Sequence, residues 1–244
     1  METVGDLFAR DRRSDRTALV DGTGREYDAH WLCTSTWKAG NFLRHAGVRR
    51  DVTVGVVGEG PLALLAFFGT ALLEGTTRFD PPRDVAEDDE FRALVAPAED
   101  VEAYELAPGA QRVCYGGEPP APDVHHFDAG LWSENPSFPP LSIDPETTLL
   151  DDGERTVDHG AAADAARTVA DEYGIETGTR VAVRAPLSDP RTVVAGILAP
   201  LAVDAVIVLG DDPGTAGIAV VADGTAGPTV DRPIPLEAVP LDRR

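Results

Sequence analysis

The twelve residues 17–28, Thr-Ala-Leu-Val-Asp-Gly-Thr-Gly-Arg-Glu-Tyr-Asp, match residues 147–158, Thr-Thr-Leu-Leu-Asp-Asp-Gly-Glu-Arg-Thr-Val-Asp, without a gap. Self-similarity of this kind constrains a fold more than any composition does, because both copies must find an equivalent place in it. Each segment alternates a short apolar run, an acidic turn carrying glycine, and a second short run, which predicts a β-hairpin. A helical stretch follows in both copies, near 29–45 and 160–173. Gly47-Val48 and Gly174-Ile175 then supply a glycine where a helix C-cap needs one.

The order of elements continues in step. Buried strands are expected at 52–57 and 180–184, apolar helices at 62–73 and 192–201, and last strands ending at Phe79 and Leu209. The first copy stops at Asp80-Pro81-Pro82 and the second at Asp211-Asp212-Pro213. Apolar strand, helix, apolar strand is the pattern of parallel sheets covered by helices. The fold class predicted is α/β, with two similar subdomains, each a parallel-type sheet flanked by helices. Contiguous division places the first at 1–140 and the second, with a proline-rich tail, at 141–244.

Between the copies, residues 84–105 read as a polar helix or loop with a short strand at 93–96. A further strand is expected at 112–115, a turn at 116–120, and an extended connector at 134–145. The tail holds one expected strand at 217–222, followed by proline-punctuated coil.

Charge narrows the partners. Acidic residues number 42 against 21 basic ones, a net charge of −21, and Lys38 is the only lysine. That balance predicts a protein adapted to concentrated salt, where the Debye length falls to about 3 Å at 1 M and self-repulsion is screened. It excludes nucleic acid as a partner, since no basic stripe exists to displace counterions. The apolar run at 62–73 is shorter than the ~20 residues that span a bilayer. The start of the chain, Met-Glu-Thr-Val-Gly-Asp, lacks the pattern of a secretory signal. A cytoplasmic protein without membrane association is expected. Two cysteines, Cys33 and Cys114, are too few for a disulfide framework or a zinc knuckle.

The first copy resembles the N-terminal region of the adenylate-forming ligases, the group of acyl-CoA synthetases, luciferases and peptide-synthetase adenylation domains. The resemblance runs from Thr3-Val-Gly-Asp-Leu-Phe8 through the hairpin and residues 43–57 to Thr70-Ala-Leu-Leu-Glu-Gly75 and Phe79-Asp-Pro-Pro82. Ser137-Phe-Pro-Pro140 and Asp144-Pro-Glu-Thr147 fit the stretch preceding the family's phosphate loop. Ala195-Gly-Ile-Leu-Ala-Pro-Leu-Ala202 and residues 205–209 resemble the second α/β subdomain.

That resemblance implies a Ser/Thr/Gly-rich loop ending in Pro-Lys-Gly after the strand at 147–150, small residues exposing N–H groups and a lysine neutralising phosphate. Asp151, Asp152, Gly153, Glu154 and Arg155 stand there instead. Three carboxylates face one arginine, and a single like-charge contact at 4 Å costs up to ~4 kcal/mol at an effective dielectric of 20. The family's adenine, ribose and magnesium motifs and its closing domain have no counterpart in this sequence. The expectation is a non-catalytic, acyl-CoA synthetase-like protein with a binding or regulatory role, no cofactor and no metal. Its expected partners are a complete ligase, a second copy, or an acyl-type small molecule. The alternative in the enzyme class is a ligase subunit completed by another chain.

A third reading rests on Gly58, Gly60 and Ala63, spaced as Gly-x-Gly-x-x-Ala between a strand and a helix, with Asp80 some twenty residues on. This is the dinucleotide fingerprint. Glu59 beside a pyrophosphate, and the absence of glycines from residues 185–190 of the second copy, weigh against it. Adjacent His125 and His126 point to opposite faces of a strand and make a poor metal pair. Asp158-His159 reads as a helix start rather than an acid–base couple, and Ser188-Asp189 as a helix cap rather than a nucleophile pair. Trp31 and Trp37 face different directions on one helix, toward core or partner.

Overall fold

The computed structural model describes residues 1–139, 142–210, 216–222 and 232–241. The expected stop at Asp211-Asp212-Pro213 and the 140/141 division therefore lie outside the described residues. In chain order the elements begin with β1 (Thr17–Val20), β2 (Glu26–Asp28), α1 (Ala29–His45), β3 (Thr53–Val56), α2 (Pro61–Ala71) and β4 (Thr76–Phe79). Then come β5 (Asp84–Val85), β6 (Phe91–Pro97), β7 (Glu105–Leu106), β8 (Gln111–Tyr115), β9 (His125–His126) and α3 (Phe127–Ser133). The second copy supplies β10 (Thr148–Asp151), β11 (Thr156–Asp158), α4 (His159–Tyr173), β12 (Arg180–Val183), α5 (Pro190–Val193), α6 (Ala199–Ala202) and β13 (Val206–Leu209). β14 (Ile218–Val221) and β15 (Arg232–Pro235) follow.

Both copies thus contain hairpin, helix, strand, helix and strand in the expected order. The hairpins, however, are exchanged. One sheet runs β15-β14-β12-β13-β1-β2, and the other β11-β10-β4-β3-β6-β8-β9. β1 lies parallel to β13, with Leu19 opposite Ile207, so the first hairpin completes the sheet of the second copy. β10 lies parallel to β4, with Leu150 opposite Thr77, so the second hairpin completes the sheet of the first. Six strands correspond between the two orders, with β9 added at one edge, and they extend the repeat beyond the sequence match: β6 answers to β14 and β8 to β15.

By its contacts the chain divides into one unit of Met1–Cys33 with Val157–Arg244 and another of Thr34–Thr156. These units are discontinuous, whereas the expected 1–140 and 141–244 division follows the chain. Hairpin exchange is the physical reason for the difference.

In the unit built around β3, α2 is apolar on every side and accordingly buried. Leu64, Leu65, Phe67 and Phe68 are wholly out of solvent, each such side chain worth about 1.5–3 kcal/mol of transfer free energy. The short strand expected at 93–96 is present and longer, as β6, and the rest of the stretch between β5 and β7 is loop with one 3₁₀ turn, Val101–Ala103, in place of a polar helix. Phe91, Leu94 and Ala96 are buried in β6, which pairs with β3 on one side and β8 on the other. A continuous apolar run of this kind belongs to a central parallel strand.

In the other unit, α4 is capped by Asp158, whose carboxylate accepts from the Ala161 N–H at 2.6 Å, and ends at left-handed Gly174. A π-helical turn, Val194–Leu198, separates α5 from α6. Pro200 explains it, since proline has no N–H to donate back into the helix. The tail departs from coil: β15 is an edge strand whose Arg232 N–H bonds the Gly217 carbonyl at 3.1 Å. Pro233 and Pro235 take the alternate positions, where a missing N–H costs no ladder bond. Among the described residues no helix is long and apolar enough to cross a membrane.

Candidate functional site

Residues 151–155 form the turn between β10 and β11. Asp151 closes the strand, its carboxylate paired with the Arg78 guanidinium of β4 and accepting from the Gly153 N–H at 2.7 Å. Asp152 Oδ1 accepts from the N–H groups of Glu154 at 2.9 Å and Arg155 at 2.6 Å. The Asp152 N–H bonds the Arg155 carbonyl at 3.1 Å. All four backbone donors from 152 to 155 are therefore used inside the turn. Gly153 takes φ +87° at its tip, and Glu154 is exposed. The Nε and Nη1 atoms of Arg155 are buried without a hydrogen-bond partner.

The equivalent turn of the first hairpin uses the same device. Asp21 Oδ1 accepts from the N–H groups of Thr23 at 2.9 Å and Arg25 at 3.1 Å, and Tyr27 donates its hydroxyl to Oδ2 at 2.9 Å. Burial pushes the Asp21 carboxyl upward, but these hydrogen bonds to the charged form outweigh it and hold the group below the usual aspartate value.

Gly58, Gly60, Ala63 and Asp80 are gathered at the carboxyl ends of β3 and β4. Strand order reverses beside β3, because β4 lies on one side of it and β6 on the other. In open α/β sheets that is where ligands bind. Gly58 adopts φ +97°, and a Cβ there would lie 2.4 Å from the Tyr115 hydroxyl. That hydroxyl donates to the Val57 carbonyl at 2.7 Å. The Gly58 N–H turns toward Asp80 Oδ1 at 3.4 Å. Glu59 has its carboxyl raised by partial burial and by the nearby Asp80 charge. Gly60 caps α2 with open space around its Cα, and Ala63 is buried in that helix. Tyr115, at the end of β8, thus occupies the side of Gly58 on which a Cβ would stand. Burial, with Asp80, Asp100, Glu99 and Asp128, raises its phenol. Sequence spacing gave no sign of Tyr115 here, because two strand crossings separate it from Gly58.

The remaining candidates take structural places. Buried His159 starts α4, and its Nδ1 accepts from the Val4 N–H at 3.4 Å. Asp189, rather than Ser188, caps α5 by accepting from the Arg191 N–H at 2.9 Å. His125 Nε2 lies 3.1 Å from Gln111 Oε1, and His126 Nε2 lies 3.7 Å from Asp128. No cluster of His, Cys, Asp or Glu that would hold a metal occurs among the described residues. Cys33 and Cys114 are buried free thiols, the first pushed up to about 11 by burial. Trp37 is core, whereas half-buried Trp31 packs against Tyr27 with ring centroids 4.3 Å apart and planes tilted by 42°.

Solved structures match this arrangement over nearly the whole chain. An anthranilate CoA ligase, AuaEII, in complex with anthranoyl-AMP superposes with a TM-score of 0.77 at 17% identity, over 90% of this chain and 49% of its own. The chain shares the fold of adenylate-forming ligases. The N-terminal domain of FACL13 from Mycobacterium tuberculosis gives a TM-score of 0.70 at 14% identity, over 91% of this chain and 63% of that one. ATP-bound MatB from Rhodopseudomonas palustris gives 0.70 at 12% identity, over 90% and 49%. The chain spans about half the length of the full ligases it matches. No protein-family model and no curated protein matches the sequence.

Proposed function

We propose that this chain is a non-catalytic relative of the adenylate-forming ligases, with a binding or regulatory role, and that residues 151–155 hold no phosphate. A phosphate loop works by presenting unpaired backbone N–H groups to anionic oxygens. Here the carboxylates of Asp151 and Asp152 already take the N–H groups of Gly153, Glu154 and Arg155. That internal saturation is the observation that carries the reading. An incoming triphosphate would have to displace bonded carboxylates and then sit beside them, at a Coulombic cost of several kcal/mol. Asp151 has a structural task besides, since its ion pair with Arg78 ties β10 to β4. The same aspartate-closed turn in the first hairpin supports a structural origin for both.

Calorimetric titration with ATP and magnesium, and acyl-dependent pyrophosphate exchange, test the proposal on the isolated protein. A second reading, a ligase subunit completed by another chain, draws on the half-length coverage of the matched ligases. Exchange activity that appears only on adding a partner chain would favour it. Dinucleotide binding at Gly58 is opposed by the carboxylates of Glu59 and Asp80 beside it, the latter 3.4 Å from the Gly58 N–H.

A further inference from the structure

Helix α3 carries the one large apolar side chain that the described residues leave in solvent: Trp132 is 87% exposed. The helix beneath it is firmly held. Phe127 is fully buried and meets the Phe42 ring of α1 at 5.4 Å with an interplanar angle of 71°. Gly130 lies so close to the same ring that a Cβ would fall 2.2 Å from it. These contacts fix one face of α3 inward, and with it the orientation of the other.

Asp128 stands four residues before Trp132, on the same side of the helix. Its carboxylate is set in place by the Gly116 N–H, which donates to Oδ2 at 2.9 Å, and the side chain keeps about a third of its surface in water (35%). Ala129, exposed and small, lies on the same turn. An indole and a carboxylate that is held by the Gly116 N–H, with His126 Nε2 3.7 Å from it, thus stand one turn apart on the same side of the helix.

An arginine suits both groups at once. Its planar guanidinium stacks on an aromatic face while its N–H fork pairs with a carboxylate. A purely apolar partner would strip water from Asp128 without replacing it. An acidic partner would meet a chain with 42 acidic and 21 basic side chains. On this charge complementarity the geometry points to α3 as a docking surface for a basic protein segment that presents an arginine between apolar residues to Trp132 and Asp128. This goes beyond the phosphate-loop reading and does not depend on it.

The probe is a dye-labelled hexapeptide of alternating leucine and arginine, followed by fluorescence anisotropy on the full chain in 0.1 M and 2 M KCl. The wild type is expected to bind at both salts, and Trp132→Ala to weaken binding about tenfold at both. Trp132→Phe should fall between them. The exposed side chain makes no fold-bearing contact, so the melting temperature of Trp132→Ala should match the wild type. Equal affinity for wild type and Trp132→Ala overturns the proposal. So does wild-type binding that vanishes at 2 M KCl, the behaviour of diffuse attraction to a net negative surface. Concentration-dependent dimers abolished by Trp132→Ala would assign the face to a second copy and overturn it equally.

Discussion

Glu74 and Asp204 hold the same post in the two sheets. Each is a non-glycine residue in the left-handed region, at φ 59° and 62°, between the second helix and last strand of its copy. Each grips the segment leading into the hairpin borrowed from the other copy. Glu74 Oε1 accepts from the Asp144 N–H at 3.1 Å and the Thr147 hydroxyl at 3.3 Å. Asp204 Oδ1 pairs with Arg12 at 2.8 Å and Arg16 at 2.6 Å. The exchange of hairpins is therefore fastened at equivalent points by a carboxylate.

Replacing Asp204 separates its backbone role from its side-chain role. Asp204→Ala loses the two ion pairs and keeps a Cβ in the left-handed region, whereas Asp204→Gly loses the ion pairs but also relieves that backbone strain. Alanine should be less stable than glycine by about 1 kcal/mol. Urea denaturation of the two variants checks the order, which is the reverse of the usual preference for alanine.

Tyr115 and Gly58 should be coupled energetically. Gly58→Ala brings a Cβ within 2.4 Å of the phenol oxygen and strains the backbone at φ +97°, together about 3 kcal/mol. In a Tyr115→Phe background the oxygen is gone and only the backbone part remains. A double-mutant cycle should return an interaction of about 1–2 kcal/mol.

The lowered carboxyl of Asp21 makes a pH prediction with a definite sign. A depressed folded-state value contributes stability above the unfolded aspartate pKa of about 3.9 and loses it as pH falls through the folded value. Asp21→Asn should therefore melt lower than wild type at pH 7, and the gap should close below about pH 4. Melting curves from pH 7 to 3 in molar KCl, which screens the general charge, measure it.

Salt supplies a further expectation, based on composition. With a net charge of −21, raising KCl from 0.05 M to 2 M should raise the melting temperature by screening self-repulsion. A flat or falling curve in differential scanning calorimetry would remove the salt-adapted reading.

The sequence showed the order of elements in both copies, because apolar runs bounded by Gly and Asp-Pro mark strands and helices locally. Phe79 and Leu209 end their strands at the expected residues. Hairpin exchange was illegible, since nothing in residues 17–28 says which of two similar apolar sheets Leu19 will join. β15 looks like coil in the sequence because Pro233 and Pro235 count against a strand until its edge position is known. At the candidate site, spacing identified the acidic turn but not its saturation. Which N–H groups Asp151 and Asp152 take depends on the turn's geometry, and the Arg78 pairing on the β10–β4 register.

Isothermal titration calorimetry of the isolated protein with ATP and magnesium in molar KCl asks whether the turn at residues 151–155, whose backbone N–H groups are taken up internally, can still hold a phosphate. No measurable heat of binding is expected in the wild type. Replacing residues 151–155 by a glycine-rich loop with lysine should free the donors but restore no pyrophosphate exchange. Micromolar ATP affinity in the wild type, lost on Arg155→Ala, would show instead that the turn binds phosphate and that the Arg155 guanidinium, with its buried Nε and Nη1, is an anion site.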